Sequence, residues 1–150
     1  MAHRLPALLA ALWWGSITTV GFLVVPMLFA HLPSPTVAGN MAARLFAAQT
    51  WVTVACCVIL LLISRPKQAV TQYRWAQAAM VFILGGLLLA LLTQFGVAPR
   101  IVARQDLRVW HGVGTVMYAL QWGCALAVLW HTLRQDSAAP VVDESRPASA

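Results

Sequence analysis

The stretch Thr93-Gln94-Phe95-Gly96-Val97-Ala98-Pro99-Arg100-Ile101-Val102-Ala103-Arg104-Gln105-Asp106-Leu107-Arg108-Val109-Trp110-His111 separates two long apolar runs, and its reading decides the fold. It carries three of the ten basic residues, a proline and a histidine. A proline interrupts a helix ladder and an arginine needs water or phosphate for its charge, so the stretch reads as a hinge between two membrane-spanning helices. The apolar runs on either side then become the third and fourth spans of a four-span chain.

Composition supports that reading. The chain is 61% hydrophobic and 9% charged, with a mean hydropathy of +0.76. A soluble domain carries about 25% charged residues. Four spans of roughly 20 to 25 residues use up most of 150 residues, leaving little for a soluble domain. The expected architecture is all-α: a polytopic, antiparallel four-transmembrane-helix bundle with spans at about 6–30, 41–64, 75–97 and 107–133. Residues 135–150 turn to Ala, Ser, Pro, Asp and Glu without periodicity and read as a disordered tail.

Several local signals place the spans. The run Leu5–Ala30 is longer than the 7 to 15 residues of a signal-peptide apolar region, so it reads as a first span. Pro26 should kink it, and His31-Leu32-Pro33-Ser34-Pro35 should end it, with Gly39-Asn40 in a turn before the second span. Arg65 to Arg74 form a polar loop, with Tyr73 and Trp75 placed as interface anchors. In the fourth span His111, Thr115, Tyr118 and Trp122 or Gln121 fall on one helical stripe expected to face the bundle. Arg100, Arg104 and Arg108 recur every four residues and suggest a short interfacial helix.

Charge distribution narrows partners and orientation. Residues 1–134 carry nine Lys or Arg against Asp106 alone, and these bases lie between apolar runs. Anionic lipid headgroups are therefore the expected partners, and nucleic acid is not. Arg4, Arg65, Lys67, Arg74, Arg134 and Arg146 fall on the side of the termini, against Arg44, Arg100, Arg104 and Arg108 on the other. The positive-inside bias places both termini in the cytoplasm.

Antiparallel connections bring the end of span one, the start of span two, the end of span three and the start of span four to one membrane surface. His31, Arg44, Gln49, Gln94, Pro99, Arg100 and His111 make up the candidate functional cluster there. Gln94, Pro99, Arg100 and His111 are expected to face the bundle, and Arg104 and Arg108 to anchor in lipid. Met27, His31 and His111 are the candidates for a metal or haem site, with copper suited to thioether and imidazole ligands. No two histidines share a helix at metal-binding spacing. Cys56, Cys57 and Cys124 sit in apolar runs, contain no Cys-x-x-Cys, and read as small buried residues. Asp106 is the sole acid of the membrane region and no phosphate loop is present, so no enzyme activity is expected.

Trp13-Trp14-Gly15, Val24-Val25-Pro26 with Phe29, Ala43-Arg44-Leu45-Phe46, Phe95-Gly96-Val97-Ala98-Pro99-Arg100 and His111-Gly112-Val113 resemble the bacterial domain-of-unknown-function 4149 family, similar to transmembrane protein 205. The resemblance covers about residues 7–132. It implies a four-span integral membrane protein of unassigned activity, and a distant likeness to copper-resistance membrane proteins. The expected function is a small inner-membrane binding or transport-associated module, as a homo-oligomer or in a larger complex. A metal- or haem-binding protein and a structural subunit are the alternatives.

Overall fold

A computed structural model describes residues 4–63 and 73–136, with side chains described over 4–63 and 79–134. Four long helices form: α1 (Leu5–His31), α2 (Pro35–Ile63), α3 (residues 73–102) and α4 (Leu107–Asp136). Each is long and apolar enough to cross a membrane. In lipid a backbone has no water to bond, so a run of apolar residues this long is driven into a helix that satisfies its own amides. The loop at 65–72, residues 137–150, and the side chains of Tyr73 and Trp75 lie outside the described residues.

The helices pack as a four-cornered bundle in which α1 touches α2 and α4, and α3 touches the same two. The core is a layer of Ala10, Trp13, Ile17, Cys56, Cys57, Leu60, Ile83, Ala125 and Val128. Trp13 reaches across the bundle to α3, where a Cβ on Gly86 would lie 2.6 Å from its ring. Glycine there makes room for the indole, a use of small residues typical of helix contacts in lipid.

Two boundaries and one predicted element differ from expectation. The second span starts at Pro35 rather than near 41: Ser34 Oγ accepts the Val37 N–H at 3.3 Å and Pro35 opens the first turn, so Gly39 and Asn40 lie inside the helix. Serine before proline is an N-terminal signal stronger than the Gly-Asn pair is a turn signal. The third span does not end at 97 but continues to Val102. The turn to α4 is then only residues 103–106, with Arg104 (φ 55°) and Asp106 (φ 32°) in the left-handed region. Arg100, Arg104 and Arg108 therefore do not share a short helix; they lie on α3, the turn and α4 respectively.

Pro26 in span one and Pro99 in span three are each absorbed by a widened turn. α1 is a π-helix over Thr19–Val24 and α3 over Thr93–Val97, so Val25 N–H bonds Val20 O and Ala98 N–H bonds Thr93 O, five residues back. The proline follows one residue later in each case, at Pro26 and Pro99. Widening the turn is a known way for a helix to accommodate a local break without losing its backbone bonds. The two sites share sequence spacing as well: Phe22-x-x-x-Pro26 and Phe95-x-x-x-Pro99.

Candidate binding site at the centre of the bundle

At mid-height, where a lipid-embedded bundle is least able to tolerate polar groups, three helices each contribute several. Gln49 and Gln121 are the fifteenth residues of α2 and α4, and both are buried. Thr53, one turn after Gln49, is fully buried and its Oγ1 accepts two hydrogen bonds, from Trp13 Nε1 at 3.2 Å and from Gln121 Nε2 at 3.1 Å. A single hydroxyl thereby joins α1, α2 and α4. Gln49 Nε2 donates to Ser16 Oγ at 2.9 Å, and Ser16 in turn donates to the Trp13 carbonyl at 2.9 Å.

A second layer lies toward the end of the bundle that holds His31 and His111. Trp122 Nε1 donates to Thr18 Oγ1 at 2.9 Å, and Thr18 donates to the Trp14 carbonyl at 2.7 Å. Trp122 sits against both Trp14 and Phe22, with ring centroids 6.0 and 6.1 Å apart. Tyr118 Oη donates to the Ile17 carbonyl at 2.8 Å, and its ring lies against Gly21. Trp14 Nε1 is buried and finds no hydrogen-bond partner among the described residues, an unusual state for an indole donor.

The residues expected to converge on one surface divide into two groups. Gln49 lies at the bundle centre, because α2 begins six residues earlier than its apolar run suggested. Gln94 is half-buried in the π turn of α3. His31, Arg44, Pro99, Arg100 and His111 are exposed rather than turned into the bundle. His31 Nδ1 bonds the Met27 carbonyl at 3.0 Å and His111 Nδ1 bonds the Leu107 carbonyl at 2.9 Å, each one turn back on its own helix. Their Nε2 atoms remain the ring positions able to ligate a metal, and the Met27 side chain is exposed beside His31. Among the described residues no group of three or more His, Cys, Asp or Glu side chains gathers for a metal ion. Arg100 lies 4.5 Å over the Trp110 ring and bonds the Gly96 carbonyl, so it is held along α3.

The expected stripe on α4 is half right. His111 and Thr115 are exposed, and Thr115 returns its hydroxyl to the His111 carbonyl at 2.8 Å. Tyr118, Gln121 and Trp122 face α1 and α2. Trp13, Ser16 and Thr53 were not singled out from sequence. Their signal was the four-residue spacing of Gln49 and Thr53 within an apolar run, with Trp13 and Ser16 a turn apart on α1. The three cysteines are free, Cys56 and Cys57 buried and Cys124 half-buried.

Four packed apolar helices, three of them joined at mid-height by neutral polar side chains, define a polytopic membrane protein. Within that class, the chain belongs to the family described as domain of unknown function (DUF4149), which matches residues 8–110. That match takes in the first three spans and the hinge, and ends one residue before His111. No curated protein and no solved structure matches the chain.

Proposed function

We propose that the chain is a small, non-catalytic binding module of transport-associated type in the inner membrane, with the cluster around Thr53 as its binding element. One observation carries this: Trp13 and Gln121, from two different helices, donate to one buried Thr53 hydroxyl at the centre of an otherwise apolar bundle. Polar groups are costly in hydrocarbon, and interior ones are default markers of binding or transport sites. The interrupted helices support the same reading, since proline-broken spans in corresponding positions commonly flank a site near the membrane midplane. Arg44, Arg100, Arg104 and Arg108 suit anionic headgroups at the surface nearest that break. The balance of basic residues supports cytoplasmic termini.

The test is a tryptophan-fluorescence titration of the purified protein in detergent with small anionic, cationic and uncharged solutes. Trp13, Trp14 and Trp122 belong to the cluster and report on it. A saturable change with at least one charge class, lost in Gln121→Leu, is expected. An unresponsive wild type, or a response that survives Gln121→Leu unchanged, contradicts the proposal.

A further inference from the structure

We infer that the central cluster takes a small uncharged solute with both hydrogen-bond donors and acceptors, of amide or polyol type. The solute enters from the end that holds His31 and His111, where Tyr118 latches the π turn of α1. This rests on the reading of the cluster as the binding element.

The ligand class follows from the side chains. Trp13, Ser16, Gln49, Thr53, Tyr118 and Gln121 supply indole, hydroxyl and amide groups and no formal charge. An ion brought to this depth would meet no counter-charge, and an unpaired charge in low dielectric is held only at great cost. An amide or a polyol can exchange, bond for bond, with the contacts the side chains make to one another.

The direction of entry follows from an asymmetry in packing. Toward the termini the bundle is filled by Ala10, Cys56, Cys57, Leu60, Ile83, Ala125 and Val128. Toward the other end, no residue of Thr19–Val24, Val25–His31 or Ala98–Val102 is buried, α4 has none before Gln121, and the buried side chains there are the small Ala38 and Ala42 of α2 and Val97 of α3. The Thr53 cluster is thus the first layer met from that side in which α1, α2 and α4 all bury side chains. Segments with few buried contacts open most readily. Here two of them, 25–31 and 98–102, also hang from a π turn and a proline.

The latch follows from Tyr118. Its hydroxyl crosses from α4 to the Ile17 carbonyl, two residues before the π turn of α1 begins. Its ring lies where a Cβ on Gly21 would come within 2.5 Å, so the residue type at 21 and the seating of Tyr118 are matched. Loss of the hydroxyl leaves the ring in place and removes one of the bonds that tie α4 to α1 beside the π turn.

Cysteine accessibility tests both parts. In a chain carrying Cys56→Ala, Cys57→Ala and Cys124→Ala, a single cysteine is placed either beside the cluster (Thr50→Cys, whose hydroxyl bonds the Phe46 carbonyl of its own helix) or in the dense half (Leu60→Cys). Each is reacted with methyl methanethiosulfonate, with and without Tyr118→Phe. Should that background fail to fold, the three native cysteines are kept and labelling at 50 and 60 is read by peptide mass. We expect Tyr118→Phe to speed modification at position 50 by about fivefold, the factor for one neutral hydrogen bond, and to leave position 60 unchanged. Acetamide or glycerol should slow it at 50. Equal acceleration at 50 and 60, or none at 50, overturns the latch. Acceleration without protection by either solute overturns the ligand class while leaving the opening intact.

Discussion

Tyr118 Oη, on the fourth helix, donates to the Ile17 carbonyl of the first at 2.8 Å, two residues before the first helix widens into a π turn. The contact ties the two helices together beside that turn, and it depends on a glycine. Gly21→Ala would place a methyl 2.5 Å from Tyr118 Cε1. We expect it to lower stability by about 1–3 kcal/mol, the usual cost of overpacking a fitted contact. In a Tyr118→Ala background the same change should cost little, and unfolding in mixed detergent micelles measures both.

Gly86 gives a parallel case in the dense half of the bundle. A Cβ there would meet Trp13 ring atoms at 2.6 and 2.7 Å, whereas Gly15 and Gly123 have nothing within 4 Å. Gly86→Ala is expected to destabilise by about 1–3 kcal/mol. Gly123→Ala should be neutral or stabilising by up to about 1 kcal/mol, the gain of alanine over glycine in a helix. Thermal unfolding of the two variants side by side decides it, and equal loss in both would contradict the packing described.

The Gln49 to Ser16 bond joins α1 and α2 at mid-height. A double-mutant cycle with Gln49→Leu and Ser16→Ala should give a coupling of about 0.6 kcal/mol, with roughly 1.7 as an upper bound, the range for hydrogen bonds between membrane helices. A coupling of zero would mean that the two side chains do not act on each other.

At the turn between α3 and α4, the left-handed backbone at Arg104 favours glycine. Arg104→Gly should raise stability by about 1 kcal/mol. Arg100→Ala should lower it by about 0.5–1 kcal/mol through loss of the contact over Trp110. The two changes remove the same charge at neighbouring sites, so opposite signs in the melting temperature would separate backbone conformation from charge.

Topology is open to a reporter fused after Arg134. Cytoplasmic activity is expected from the balance of basic residues on the two sides. Activity on the far side would invert the assignment and place the α3 to α4 turn in the cytoplasm.

The four spans were legible because apolar runs of this length have few other uses. Their ends were less so. Pro33 and Pro35 resemble a broad turn, but only the Ser34 cap shows that Pro35 already belongs to α2, and that six-residue shift moves Gln49 from the surface to the centre. Pro99 likewise reads as an end to α3, yet the π turn before it carries the helix on to Val102. Half of the α4 stripe was legible by periodicity. Trp13 and Thr53 were not, since an indole and a hydroxyl in apolar runs look like packing until the helices that bring them together are placed.

The central claim is that the Thr53 cluster binds, and calorimetric melting of the protein in phospholipid nanodiscs with increasing acetamide or glycerol tests it most directly. A ligand that binds only the folded state raises the melting temperature with its concentration. The wild type should show that rise beyond what the solute does to an unrelated four-helix membrane protein. Thr53→Val with Gln121→Leu, which replaces the cluster by apolar groups of similar volume, should melt cooperatively without it. The same solute-dependent rise in both chains, or its absence from the wild type, would contradict the claim.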